Sequence, residues 1–211
     1  MKEQQAQISE LTATDGVKWH FIPAHSPQFG GLWEAGVKSC KSHLKRVIGG
    51  TALTYEEMNT LLVQVESMLN SRPLSPLSSD PSDFQPLTPG HFLVGRPLIA
   101  VAEPDVTDIS ASRLSTYQFI CRLQQHFWKR WSKEYISELQ GRTKWRQQQS
   151  HLQPGILVLL KEDNLAPSRW KLGRIIQVHT GSDGVNRVVS VKTTNGIVRR
   201  AFAKVCPLPL G

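Results

Sequence analysis

Residues 155–208 read GILVLLKEDNLAPSRWKLGRIIQVHTGSDGVNRVVSVKTTNGIVRRAFAKVCPL. Four segments, GILVLLK (155–161), KLGRIIQVHTG (171–181), NRVVSVKTTNG (186–196) and IVRRAFAKVCPL (197–208), are rich in Val, Ile and Thr. Their apolar residues recur with a period of two, the spacing of strands that bury one face. GSDG (181–184) and TNG (194–196) are turn sequences between them. Four or five short strands in roughly 60 residues are the pattern of a small β-barrel. No apolar run of the chain exceeds five residues, the length of ILVLL at 156–160. ILVLL has the length of a strand, and a run of five falls far short of the ~18 residues a membrane span needs.

Upstream the period changes. A long helix is expected over 112–140, SRLSTYQFICRLQQHFWKRWSKEYISELQ. Leu114, Tyr117, Cys121, Gln124, Trp128, Trp131, Tyr135 and Leu139 form a near-heptad stripe on it. Arg122, His126, Lys129, Arg130 and Lys133 lie between the aromatics, and GRTKWRQQQ (141–149) reads as a basic linker with Arg142, Lys144 and Arg146. Trp128, Trp131 and Trp145 have the chemistry to stack on bases, with Lys129, Arg130 and Lys133 taking phosphates. The alternative, which we favour, buries the tryptophans on the stripe and leaves only the cations to nucleic acid.

Residues 73–110 form a Pro-rich connector, whose proline density excludes long helices and central strands. Phe84, Leu87, Phe92, Leu93 and Val94 are too apolar for a disordered segment, so the connector is expected to lie extended over a core with HFLVG (91–95) docked. Before it, LTYEEMNTLLVQVESMLN (53–70) reads as a helix. Thr54 and Glu57 have capping-box spacing, Leu53 and Met58 hydrophobic-staple spacing, and Met58, Leu61, Leu62, Val65 and Leu69 give one apolar face.

The first helix is expected from about Leu32 to Ile48, after a short strand VKWHFIP (17–23) and the Gly30-Gly31 pair. At ~100° per residue, Glu34, Lys38, Lys41 and Lys45 fall on one line. A solvated face explains this line: a Glu34–Lys38 pair and a carboxylate at a helix N-terminus are each favourable. Alternatively, three lysines about a turn apart match a phosphate backbone, with Glu34 holding a divalent metal at one end.

The net charge of +8 is unevenly spread. Residues 1–110 hold 8 Lys and Arg against 12 Asp and Glu, a net of −4; residues 111–211 hold 17 against 5, a net of +12. So basic a half points to a polyanion, most often nucleic acid. Arg174, Arg187, Lys192, Arg199 and Arg200 are candidates for a second contact surface on the strands, a solvated strand face being the equal alternative. Three widely spaced cysteines suggest reduced thiols, and His20 and His25 lack a matched Cys/His pair for zinc. The polar start of the chain, residues 1–15, lacks a signal-peptide centre, so an intracellular protein without a membrane partner is expected.

FIPAHSPQFGGLWEAGVKSCKSHLKRVIG (21–49) resembles the end of the integrase catalytic core of BEL/Pao-type retrotransposons. LTYEEMNTLLVQVESMLNSRPLSPLSSDP, LTPGHFLVGRPL, QHFWKRWSKEYISELQGRTKW and WKLGRIIQVHTGSDGVNRVVSVKTTNG extend the resemblance to about residue 210. The strand region is similar to the SH3-like barrel that ends retroviral integrases. The resemblance implies an RNase H-like core whose two Asp and one Glu bind two Mg²⁺ ions for attack on a phosphodiester. It places Glu34 as the catalytic and metal-binding Glu, and Lys38 and Lys41 on DNA; Lys45 extends that line by geometry.

The sequence departs from that family in one decisive respect. Glu3, Glu10 and Asp15 are the only acidic residues ahead of Glu34. None lies in a segment like those that carry the family's Asp pair, and no zinc domain precedes them. The expectation is therefore an α+β fragment. Residues 1–15 are a polar segment, 16–110 the end of a truncated RNase H-like core (one strand plus helices), 111–150 a basic helix and linker, and 151–211 an SH3-like β-barrel. It would bind DNA without catalysis, need no cofactor alone (Mg²⁺ if the missing Asp residues were supplied), and reach the nucleus if functional. Its helical faces, deprived of a sheet, would stay exposed unless a partner covered them. The alternatives are a truncated active integrase and an assembly module that self-associates or joins other integrase subunits.

Overall fold

The computed structural model describes residues 2–13, 16, 19, 31–101, 103–146, 152–163 and 165–209. It is mixed α and β, with five helices and one five-stranded antiparallel sheet among the described residues. No helix among them is long and apolar enough to cross a membrane. The chain forms two compact units, Met1–Ser42 and His43–Gly211. The division falls within a helix, between Ser42 and His43.

In the first unit the polar N-terminal segment forms α1 (Lys2–Ala13), where Glu, Gln and Ala are good helix formers. The Trp19 indole donates to Thr12 Oγ1 at 2.7 Å. Apart from Trp19, the expected strand at 17–23 lies outside the described residues, as do Gly30, His20 and His25. Helix α2 (Gly31–Ile48) begins one residue earlier than expected and passes into the second unit.

The second unit contains α3 (Tyr55–Asn70), the two-residue strands β1 (Ser75–Pro76) and β2 (Pro86–Leu87), α4 (Pro89–Val94) and α5 (Thr116–Arg146). The strands β3 (Leu157–Leu160), β4 (Leu172–Thr180), β5 (Asn186–Thr193), β6 (Gly196–Ala201) and β7 (Val205–Pro207) follow. The capping box of α3 is formed: Glu57 N–H donates to Thr54 Oγ1 at 3.2 Å and Thr54 N–H to Glu57 Oε2 at 2.8 Å. Leu61, Val65 and Met68 bury one side of α3, which packs on α5. Tyr55, Met58 and Leu62 continue the same apolar arc into solvent, so only half of it is covered.

The sheet order is β6-β5-β4-β3-β7, every pair antiparallel. Its two edge strands are consecutive in sequence, joined by one 3₁₀ turn, Phe202–Lys204. Four residue steps from Ala201 to Val205 span at most ~14 Å. The edges of a flat five-stranded sheet stand roughly 19 Å apart. The sheet must therefore curl to bring its edges together. Gly173 permits part of this: a Cβ there would lie 2.5 Å from the Lys192 carbonyl oxygen.

Alternation sorts the core. Val158 and Leu160 of β3 join Ile175, Val189, Val191 and Val205 inside the curl. Leu157 and Leu159 face the other way and pack with Ile136 and Leu139 of α5, Cys206 and Leu208. Covered on both faces, β3 reads as an uninterrupted apolar run.

The long helix starts at Thr116 and runs on through the expected linker to Arg146. Its buried side is wider than the predicted stripe. Cys121, Gln124, Trp128, Trp131 and Leu139 are buried as predicted, joined by Ile120, Leu123, Phe127 and Ile136, while Tyr117 is exposed. The connector is tied down by specific hydrogen bonds. Tyr135 Oη donates to the Pro73 carbonyl, and the Gln125 side chain donates to Pro104 O at 2.8 Å and accepts from Val106 N–H at 3.0 Å. Phe84 packs on the outer cluster, as expected of a laid-down segment. HFLVG does not dock. It forms α4, with Pro89 at its first turn and Gly95 as left-handed C-cap, and Phe92, Leu93 and Val94 are 74%, 63% and 55% exposed.

Candidate nucleic-acid interface

On α2, Glu34 occupies the first turn, where the helix dipole favours a carboxylate. Lys38, Lys41 and Lys45 are exposed at 4, 7 and 11 residues beyond it. None of the four makes an ion pair, so the Glu34–Lys38 pair does not form. His43 lies about 180° around the helix from this line. It is buried, its Nε2 lies 2.9 Å from Glu134 Oε2 of α5, and its ring meets Phe127 edge-on. This contact turns Lys45, two residues on, to solvent.

A metal at Glu34 requires further donors. No group of three or more His, Cys, Asp or Glu side chains able to hold an ion occurs among the described residues. One carboxylate does not fit a two-metal centre, so Glu34 by itself supports no Mg²⁺-dependent step.

Helix α5 repeats the spacing of α2. Arg122, His126, Lys129 and Lys133 stand at 0, 4, 7 and 11 residues, one ridge on the helix. Lys129 and Arg130 are exposed and make no ion pair; Lys133 lies 3.2 Å from Asp163. Arg122 donates to Ile109 O at 2.8 Å, which holds it along the connector. Burial, and then the charges of Arg122, Lys129 and Arg130, hold the His126 imidazole below its ordinary pKa. The same field that disfavours a proton on His126 favours an anion beside the ridge.

Trp128 and Trp131 do not supply a stacking platform. Trp128 and Trp131 are buried and pack with Tyr135 and Trp170 in one aromatic cluster. The Trp128 indole donates to Leu165 O at 2.9 Å. The side chains of Arg142, Lys144, Trp145 and Arg146 lie outside the described residues.

On the sheet, the five candidate cations are dispersed. Lys192 and Arg199 are exposed on the outer face, Lys192 opposite Arg174 and Arg199 opposite Ser190. Arg174 is not a nucleic-acid contact. It is 7% exposed, covered by the connector, and donates to three backbone carbonyls: Gly155 at 2.9 Å, Ser78 at 3.0 Å and Asp83 at 3.1 Å. Arg200, one residue after Arg199, points to the other face by strand alternation and donates to Glu162 at 2.8 Å. Arg187 pairs with Asp183 in the β4–β5 turn. The exposed candidates that remain are Lys38 and Lys41 in the first unit and, in the second, Lys45, the α5 ridge, and Lys192 with Arg199.

Residues 115–208 match a family described as "Family of unknown function (DUF5641)". The match opens one residue before α5 and closes on Leu208, the last residue of the outer cluster. The matched segment thus covers α5 and all five strands of the sheet. No curated protein and no solved structure matches the chain.

Proposed function

We propose that this chain binds duplex DNA through its phosphate backbone, as part of an integrase of the BEL/Pao retrotransposon type, without catalysing strand transfer by itself. The observation that carries the reading is the α5 ridge, where Lys129 and Arg130 stand exposed and unpaired around a His126 of lowered pKa. Lys38, Lys41 and Lys45 would add phosphate contacts on α2, and Arg199 on the sheet. Lys133 would have to give up Asp163, an exposed pair of small energy. The curled sheet is in keeping with an SH3-like barrel, and α2 and α3 with the final helices of an RNase H-like core. Glu34 would be one carboxylate of three, and Mg²⁺ would bind only where the other two were supplied. A nuclear location follows from a chromosomal substrate.

Trp128 and Trp131 are buried and so not available to stack on bases, which supports duplex over single strands. Fluorescence anisotropy with a labelled duplex, titrated over salt, tests the proposal. Log affinity should fall linearly with log salt, by about 0.9 per phosphate contacted. Lys129→Glu with Arg130→Glu should flatten that slope by roughly two contacts' worth. A flat salt dependence in the unmodified protein would refute the reading.

A further inference from the structure

Past the end of β3 the chain keeps its alternation for a residue more. Leu157 and Leu159 face outward onto Ile136 and Leu139 of α5, and Lys161 is the next residue on that side. Its N–H donates to the Lys204 carbonyl at 2.8 Å, in the 3₁₀ turn ahead of β7. Lys133 stands on α5 one turn before Ile136. Lysines from three separate elements are thus brought to one end of the sheet.

A carboxylate sits among them. Asp163 lies 3.2 Å from Lys133, and the two side chains are 60% and 54% exposed. Lys133 first, then Lys204 and Lys161, hold the Asp163 carboxyl below its ordinary range. Among the described residues neither Lys161 nor Lys204 makes an ion pair. Glu162 adds nothing to the balance here, because Lys171 and Arg200 already hold it. Three lysines around one aspartate leave a local charge of +2. The same lysines suit a phosphodiester, which like a carboxylate spreads one negative charge over two oxygens.

Given the duplex-binding reading on which this rests, we infer that Lys133, Lys161 and Lys204 form the seat of one DNA phosphate, that Asp163 occupies this seat in the free protein, and that DNA displaces it. Lys161 and Lys204 join the contact set. The α5 ridge and the end of the sheet become one track for a single backbone, since Lys129 stands one turn before Lys133. Asp163 is a tethered competitor for the last position on it. An exposed pair is cheap to break, so the competitor weakens binding without preventing it.

Anisotropy with a labelled duplex, repeated over a range of salt, is the test. Asp163→Asn should bind roughly two- to fivefold more tightly, the worth of one released surface pair. Glu66→Gln makes the same change of charge on α3, at an exposed position outside any ion pair among the described residues, and should gain less than half as much. Lys161→Ala with Lys204→Ala should lower the slope of log affinity on log salt by about 0.9, one phosphate. In that background Asp163→Asn should lose most of its gain. All four substitutions fall at exposed or half-exposed side chains. An Asp163→Asn variant that gains no more than Glu66→Gln would overturn the seat and leave salt-dependent binding through Lys129 and Arg130 standing. So would a full gain without Lys161 and Lys204. A parent protein whose affinity ignores salt would overturn both.

Discussion

Arg174→Ala separates a brace from a DNA contact. The guanidinium is buried and donates to the carbonyls of Ser78, Asp83 and Gly155 at 2.9 to 3.1 Å. Hydrogen bonds to a charged donor are worth about 1.5–3 kcal/mol each when both partners are desolvated. Ser78 and Asp83 sit in a loop whose neighbours Ser79, Asp80 and Ser82 are exposed, so their carbonyls can recover water. The loss is then nearer the value for a single bond plus lost packing, about 3 kcal/mol. At about 2–4 °C per kcal/mol for a unit of this size, the melting temperature should fall by roughly 6–12 °C. Arg174→Lys, with one ammonium for three carbonyls, should recover less than half of the difference. Calorimetry gives the shift, and anisotropy well below the lowered midpoint gives the DNA affinity of the folded variant, which should stay close to that of the parent. A melting temperature unchanged within ~2 °C, a shift worth less than 1 kcal/mol, together with weakened, less salt-sensitive DNA binding would refute the brace.

Two further outcomes check the fold. Thr54→Ala removes the hydroxyl that accepts from Glu57 N–H, while the backbone N–H at position 54 can still donate to Glu57; it should cost about 1 kcal/mol in urea unfolding, with the denaturant slope unchanged. Glu162 gives an acid-sensitive contribution. Burial alone would raise its pKa, but hydrogen bonds from Lys171 and Arg200, and their charges, hold it below its ordinary value of 4.5. Because the folded value is the lower one, its stabilisation is complete above about pH 4.5 and fades as pH falls through the folded value. Glu162→Gln should therefore be less stable than the parent at neutral pH, with the gap closing in acid. A constant gap from pH 7 to pH 3 would contradict the assignment.

The sequence carried the elements whose cause is local. The strands at 157–207 follow from period-two alternation and their turn residues, and the α3 cap from Thr54 and Glu57 alone. The apolar residues around Trp131 announced a buried helix face, although Phe127 and Ile136 widen it beyond a heptad stripe because α5 packs on both α3 and the sheet. The connector was partly legible. Phe84 does pack, but Thr88, Pro89 and Gly95 are start and stop signals that spell a short helix at HFLVG. Reading apolar content as docking overrode them. Arg174 was beyond local reading: its partners Ser78 and Asp83 are 96 and 91 residues away, and nothing around GRII marks one arginine for burial. Likewise Arg199 and Arg200 look equivalent in a string and separate only once strand alternation and Glu162 place them on opposite faces.

The curl of the sheet bears on how the chain is made. Strand β7 is the last element of the sheet, yet it pairs with the first, β3, at Val158–Pro207, Leu159–Cys206 and Leu160–Val205. Val205 completes the inner cluster; Cys206 and Leu208 complete the outer one. During synthesis neither cluster can close until these residues clear the ribosome. Until then Ile136 and Leu139 of α5 lack Cys206 and Leu208, and the incomplete cluster leaves apolar surface open to aggregation. A ribosome that stalls before Val205 leaves β3 bare on one edge and under-packed on both faces, so truncated products should be cleared or aggregate, with little chance of persisting as a shorter binding module.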